Sequence, residues 1–363
     1  MLRRLALAAA AALFAALPAT AQERVVNVFN WNDYIDPYMV QRFTAETGIR
    51  VRYSVYDSLE TLEGRLSAGR SGFDIIVPTT EPTFGRLVRA NALRALDPAA
   101  IPNLANLDPT LQRQVAISDP SGSFGATYLW GTVGLGVNAA RIRALAPDAP
   151  LDSWALLLDP ANARRIARCG ITMMDSASDV IPSVLRYLGR DPNSTDAADL
   201  REVERTLMAV RPFIRNFAGA GTIETLASGQ SCLALSYSGD AIQAAARALE
   251  AGRGVTVTYV APKEGAQLWF DVLAIPADAP NPENAMAFIN FLLQPDVMAN
   301  ITNHVRYPNG VPASRALVQA EVANDPAVFP PDALRANFFT IGPVPQAADR
   351  ARNRMWARFK AGR

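Results

Sequence analysis

The order of strand-like and helix-like segments near the start of the chain constrains its fold more than any other feature. Residues 25–29, 50–55 and 74–78 are rich in β-branched and aromatic residues, as is typical of strands. Residues 36–48 and 58–69 lie between them and carry the apolar spacing, capping residues and terminal glycine of helices. This alternation predicts an α/β fold in which helices cover an open, mostly parallel sheet.

The rest of the chain continues the same pattern. Helices are predicted at 152–158, 179–188, 199–210, 222–227, 240–250 and 282–293, and strands at 232–236, 255–260 and 270–275. There is no internal repeat and no Gly/Ser linker. We therefore expect two α/β lobes joined by ordered crossovers.

Composition excludes several classes of function. The chain has 363 residues, half of them apolar, and a formal net charge of +1, so it has material for two buried cores and no basic excess for nucleic acid. His304 is the single histidine, which excludes a multi-histidine metal site. No phosphate-binding loop, dinucleotide fingerprint or metalloprotease motif occurs. We expect no metal, no cofactor and no nucleic-acid partner.

The first 21 residues have the pattern of a secretory signal peptide. Arg3 and Arg4 precede an apolar run over 5–17, and residues 19–21 have the small-x-small form of a cleavage site. The run is too short to span a bilayer. Cleavage after about Ala21 removes two arginines and no acids, so the formal charge becomes −1. In an oxidising compartment Cys169 and Cys232 can pair, and two buried free thiols are the alternative.

Aromatic residues stand beside acids at the ends of predicted strands. The groups are Trp31 with Asp33 and Tyr34, Tyr237 with Asp240, and Trp269 with Asp271. Ligands of open α/β sheets bind at strand ends, and a carboxylate beside a ring face suits an ammonium group. Several such groups together would suit a ligand with two or more positive ends. For any single group the alternative is a core tryptophan and an aspartate that caps a helix, as Asp240 could.

Longer motifs extend this pattern. They are NWNDYI at 30–35, ETGI at 46–49, GFDIIVP at 72–78, DPNST at 191–195, PKEG at 262–265, QPDV at 294–297 and NHVRY at 303–307. With these motifs the chain resembles the periplasmic putrescine/spermidine-binding proteins of polyamine ABC importers, over essentially the whole mature chain. The resemblance implies a two-lobed periplasmic binding protein of type II, with 22–131 plus 262–305 as lobe 1 and 132–261 plus 306–363 as lobe 2. It also implies a monomer in the periplasm that hands a polyamine to a membrane permease and catalyses nothing.

The resemblance further implies a ligand-binding set. Its aromatic walls are Trp31, Tyr34, Tyr237, Trp269 and Tyr307, its acids are Asp33, Asp179, Asp240 and Asp271, and its other polar contacts are Asn32 and Thr79. Glu81 falls near a position where a small hydroxyl residue is common, so its carboxylate adds an anionic contact or faces solvent. Cys169 and Cys232 match the two cysteines of the family, which supports a disulfide.

Three other functions stay open from the sequence. The ligand could be another cationic solute such as agmatine. Two of the aspartates could serve a secreted hydrolase as acid and base. A sensor that signals without a permease would have the same sequence features.

Overall fold

The computed structural model describes residues 24–219 and 221–363, so the predicted signal peptide at 1–21 lies outside the described residues. The strands are β1 (Val25–Trp31), β2 (Arg50–Tyr56), β3 (Ile75–Ile76), β4 (Leu93–Arg94), β5 (Ala126–Val137), β6 (Ile171–Met174), β7 (Asn216–Ala218), β8 (Leu233–Tyr237), β9 (Thr258–Val260), β10 (Gln267–Leu273) and β11 (Ile275–Pro276).

The helices alternate with these strands. They are α1 (Pro37–Thr47), α2 (Leu59–Ser67), α3 (Gly85–Arg89), α4 (Pro109–Val115), α5 (Ala139–Leu145), α6 (Ala155–Leu158), α7 (Pro160–Ile166), α8 (Ala177–Tyr187), α9 (Ala197–Val210), α10 (Gly221–Ala227), α11 (Ser238–Ala251), α12 (Pro282–Leu292), α13 (Pro295–Val305), α14 (Ala320–Ala323), α15 (Asp332–Arg335) and α16 (Gln346–Ala361). In the described part of the chain, none of them is both long and apolar enough to cross a membrane.

A small parallel sheet has the strand order β2-β1-β3. Its central strand is buried on both faces, because Val28 belongs to one hydrophobic core and the next residue, Phe29, belongs to another. The helix that follows β1 begins and ends as predicted. The Asp36 carboxylate accepts a hydrogen bond from the backbone of Tyr38 (2.9 Å), and Gly48 ends the helix at φ 68°.

A larger mixed sheet has the order β10-β5-β8-β6-β7, and β9 also pairs with β5. The parallel strands β7, β6 and β8 lie beside β5, a strand of 12 buried residues that runs antiparallel to both β8 and β10. Backbone bridges from Asp271 to Thr79 and from Ala274 to Ile76 link β10 to the region of β3. The two sheets therefore meet along β10, close to the carboxyl ends of their parallel strands.

A disulfide ties together two segments that lead into the larger sheet. Cys169 precedes β6, Cys232 precedes β8, and their Cα atoms are 5.6 Å apart. This confirms the predicted pairing. The bond closes a loop across 63 residues of sequence, which contributes roughly 4 kcal/mol on the chain-entropy model.

Candidate functional site

A cleft of about 880 Å³, counted out to its open mouth, lies where the two sheets meet. Its walls come from the residues that follow β1, β2, β3, β6, β7 and β8, and from β10 itself. Among the described residues that line the cleft, seven are Asp or Glu and none is Lys or Arg. A site of this charge selects cations and rejects anions.

Asp271 lies in β10 and is only 3% exposed. The Thr79 hydroxyl donates a hydrogen bond of 2.6 Å to its Oδ1 atom. Burial raises the pKa of Asp271 to about 7, although the bond from Thr79 opposes the shift. The carboxylate is held in position and lacks a counter-charge.

Asp240 lies in the first turn of α11 and is hydrogen-bonded to Tyr307, another residue that lines the cleft. The Tyr307 hydroxyl donates to its Oδ1 atom (2.8 Å), and the backbone N–H of Asp240 donates to the same tyrosine oxygen (3.1 Å). Burial raises the pKa of Asp240 to about 6. Its carboxylate therefore faces Tyr307, and no side chain caps the start of α11.

Asp179 is the third residue of α8 and is buried. Three side chains donate hydrogen bonds to its carboxylate: Ser176 (2.5 Å), Tyr237 (2.8 Å) and Gln267 (2.8 Å). Burial raises the pKa of Asp179, while these three bonds lower it. The cleft thus contains three aspartates, of which Asp179 and Asp271 are buried and Asp240 is half-buried, and their carboxylates accept hydrogen bonds from hydroxyl and amide donors.

Aromatic rings that line the same cleft pack against one another. Trp269 meets Tyr237 edge to face at 5.6 Å between ring centroids and meets Tyr307 at 5.2 Å. Two glycines make room for this layer. A Cβ at Gly131 would lie 2.6 Å from Trp269, and one at Gly239 would lie 2.4 Å from Tyr307. Any larger residue at either position would push a ring out of place.

Trp31 stands half-buried in the cleft wall. Its indole N–H donates to the carbonyl oxygen of Val77 (2.9 Å), and its ring packs on Tyr56 at 4.6 Å. The ring is therefore fixed by the small sheet, while Trp269 is fixed by the larger one. Together they place aromatic faces on both sides of the cleft.

The structure brings eleven of the twelve predicted site residues into this one cleft, and Asp33 is the exception. Asp33 has a left-handed backbone (φ 51°) and forms an exposed ion pair with Arg247 of α11 (3.4 Å). Glu81 lines the cleft but is 2% exposed, so it does not face solvent. Its Oε1 atom accepts from Ser118 (2.9 Å) and pairs with Arg89 (3.4 Å), while Oε2 has no partner in the described residues.

Sequence reasoning missed a second group of lining residues. They are Tyr56, Asp57, Ser58, Leu59 and Glu60 at and after the end of β2, Met174, Asp175, Ser176 and Ser178 at and after the end of β6, and Gly219 after β7. Every one of them ends or follows a parallel strand, so extending the strand-end rule from the predicted β2 would have found the first five.

One acid of this missed group is already paired. Lys360 Nζ of α16 lies 2.8 Å from both Asp175 oxygens, and the Trp356 indole N–H donates to Oδ1 (2.9 Å). The described residues contain no cluster of three or more His, Cys, Asp or Glu that could hold a metal ion. The chemistry that the cleft offers is the capture of organic cations.

The chain belongs to the bacterial extracellular solute-binding protein family, whose model matches residues 38–330. It is 43% identical to the putrescine-binding periplasmic protein PotF of Escherichia coli over 94% of this chain and 93% of that protein. It is 40% identical to the putrescine-binding periplasmic protein SpuD of Pseudomonas aeruginosa over 96% of this chain and 95% of that one. As a member of this family the protein is a solute-binding protein and not an enzyme.

Solved structures give the same fold. A putative spermidine/putrescine ABC transporter protein from Listeria monocytogenes is 29% identical and superposes with a TM-score of 0.83, covering 94% of this chain and 100% of that one. The fold is that of a type II periplasmic binding protein, as the sequence predicted.

Proposed function

We propose that the protein binds a polyamine such as putrescine or spermidine in the cleft and delivers it to the membrane permease of an ABC importer. The observation that carries this proposal is a single cleft that contains the buried Asp179 and Asp271, the half-buried Asp240 and Trp269, with no Lys or Arg among its described lining residues. The names of the two relatives, both putrescine-binding, support the same ligand class.

The raised pKa values explain why a cation is needed. A buried carboxylate that has no counter-charge holds a proton more strongly, as Asp271 and Asp240 do. A ligand ammonium supplies the missing charge and a hydrogen-bond donor at once. Ligands without amines leave these groups unpaired and are rejected.

The aromatic rings are suited to contact the methylene groups that lie between the ammonium groups of a polyamine. Each methylene that Trp269 and its neighbouring rings remove from water contributes roughly 0.8 kcal/mol. The ring faces also attract the ammonium ends by about 0.5–2 kcal/mol. A chain of methylenes with charged ends therefore matches the cleft, whereas a compact cation leaves part of it empty.

The positions of Asp271 and Asp179 support closure of two lobes on the ligand. We assign 22–131 plus 262–305 to lobe 1 and 132–261 plus 306–363 to lobe 2. Asp271 and Asp179 then belong to different lobes, so one ligand bridges both. We propose that the ligand is bound in the periplasm by a monomer from which residues 1–21 have been cleaved, with no nucleic-acid partner.

The test begins with native mass spectrometry of protein purified from the periplasm without refolding, since a retained polyamine reports its own mass. Calorimetry on ligand-stripped protein then compares putrescine, spermidine and agmatine with 1,4-butanediol, which has the length of putrescine but no charge. We expect binding of at least one polyamine and none of the diol. Equal binding of the diol, or no polyamine binding, refutes the proposal, and tightest binding of agmatine reassigns the ligand.

A further inference from the structure

Gln267 is a polar residue of β10 that lies just behind the wall of the cleft. Trp269 and Asp271, which line the cleft, follow it at alternate positions of the same strand. Alternate residues of a strand share a face, so the side chain of Gln267 lies on the same face as that of Trp269. Gln267 is only 1% exposed and is not among the described residues that line the cleft.

The side-chain amide of Gln267 contacts an acid of the cleft. Its Nε2 atom donates a hydrogen bond of 2.8 Å to Oδ1 of Asp179, whereas Ser176 and Tyr237 both donate to Oδ2. Among the described residues, no other side chain donates to Oδ1. The bond also joins the strand that carries Asp271 to the helix that carries Asp179.

Packing alone does not explain an amide at position 267. The other end of this amide, Oε1, has no hydrogen-bond partner in the described residues, and a buried acceptor without a donor costs free energy. Methionine has an unbranched side chain of similar length, so it would fill the same space without an unpaired acceptor. The N–H group of the amide is therefore the part of Gln267 that matters, and Asp179 is what it contacts.

The charge of Asp179 depends on such donors. Burial raises the pKa of Asp179, and the hydrogen bond from Gln267 is one of three that lower it. The Asp179 carboxylate acts electrostatically on Asp271 and Glu60, and both of these neighbours are acids. Neither can take the place of a donor. An ammonium group forms an ion pair only with the ionised carboxylate.

We propose that Gln267 is a positioning residue of the cleft, which fixes Oδ1 of Asp179 and keeps this carboxylate charged for the ligand. Gln267 acts through Asp179 and does not contact the ligand. This inference rests on the proposed function, because it assigns a role in the binding of an organic cation. It concerns how the acid is held and does not depend on which polyamine binds.

The experiment compares wild type with Gln267→Met, Asp179→Asn and the double variant. Calorimetry of putrescine and spermidine on ligand-stripped protein gives the dissociation constants. NMR of the side-chain carboxyl carbons without ligand gives the pKa of Asp179, whose signal is the one that Asp179→Asn lacks.

Gln267→Asn is a second test variant, because its side chain is one methylene shorter and draws the amide away from Asp179. The control is Gln243→Met. Gln243 is also buried, and its amide donates to the backbone carbonyl oxygen of Val305 (3.1 Å), so this variant removes a buried amide that does not touch Asp179.

We expect both Gln267 variants to raise the dissociation constant of the tighter-binding polyamine about tenfold when Asp179 is present, and less than about threefold in the Asp179→Asn background. The pKa of Asp179 should rise in both variants, because a donor to the charged form is lost. Gln243→Met should change the dissociation constant less than about twofold and leave the pKa of Asp179 unchanged.

An equal loss of affinity with and without Asp179 would show that Gln267 is structural and would overturn the inference. An unchanged pKa of Asp179 in both Gln267 variants overturns it too, as does a loss of affinity in Gln243→Met as large as theirs. If wild type binds neither polyamine, the proposed function fails, whereas the pKa of Asp179 in the ligand-free protein still decides whether Gln267 acts on this carboxylate.

Discussion

Replacing Asp271 by asparagine is expected to weaken polyamine binding and, at the same time, to make the ligand-free protein more stable. The substitution keeps the shape of the side chain and an oxygen that can accept the Thr79 hydroxyl. It removes the charge and replaces the other carboxylate oxygen by an NH2 group. Truncating one partner of a buried charge pair costs about 2–5 kcal/mol, so the dissociation constant should rise by about thirtyfold to several thousandfold.

The gain in stability comes from the raised pKa. Burial shifts the pKa of Asp271 from 3.8 to about 7, so the neutral carboxyl favours the folded state. This contribution is fully present below about pH 4 and is lost as the pH rises through about 7. Asparagine cannot ionise, so the variant keeps this stabilising contribution at every pH. The free energy of unfolding of the variant should therefore exceed that of wild type by about 4 kcal/mol at pH 8 and by about 2 kcal/mol at pH 5.

Urea unfolding of ligand-stripped protein at both pH values measures the change in the free energy of unfolding. Calorimetry measures the change in the dissociation constant of the polyamine. The control is Asp152→Asn, which removes an exposed acid whose ion pair with Lys263 spans 3.5 Å. A surface pair contributes about 0–1 kcal/mol, so the control should change neither quantity much. An Asp271→Asn variant that binds as wild type does and is less stable at both pH values would show that Asp271 is structural, and the reasoning would be refuted.

Two further predictions concern the same site. Polyamine affinity should fall at least about a hundredfold between pH 8 and pH 5, because the carboxyls of Asp271 (pKa about 7) and Asp240 (pKa about 6) must lose protons before they pair with ammonium groups; calorimetry in buffers of different ionisation enthalpy should detect the released protons, and a flat profile contradicts this. Asp33→Asn should raise the dissociation constant by less than about fivefold, since its exposed pair with Arg247 contributes about 1 kcal/mol at most, and added salt should abolish the difference. A loss as large as that of Asp271→Asn would instead place Asp33 on the ligand.

The elements that were predicted well are those whose capping and terminating residues lie within the segment itself. Asp36, Pro37 and Gly48 mark both ends of α1 within the chain segment itself. The helix predicted from 152 begins only at Ala155, because Ser153 and Trp154 bond the distant Glu264 carboxylate. A tertiary contact of this kind leaves no trace in the local pattern.

Strands β6 and β7 were not predicted, because they have only four and three residues. All four residues of β6, Ile171–Met174, are buried, so the strand lacks the alternation of polar and apolar residues that marks a half-exposed strand. The acid that follows it, Asp175, was missed with it. At the predicted strands β1, β8 and β10 the aromatic and acidic residues were found, but Tyr56, Asp57 and Glu60 at the end of the predicted β2 were missed.

The position of Asp33 shows another limit. Its neighbours Trp31, Asn32 and Tyr34 line the cleft, but a left-handed backbone at Asp33 directs its carboxylate to Arg247. Neither that backbone angle nor a partner more than two hundred positions away can be inferred from the motif.

The placement of Trp269 and Trp31 gives the protein an optical readout of its own. Only these two of the five tryptophans line the cleft, and Trp269 lies within energy-transfer distance of Tyr237 and Tyr307. Polyamines do not absorb in the near ultraviolet. Capture of such a cation beside these indoles changes their emission, so occupancy can be followed by intrinsic fluorescence without a dye or a label.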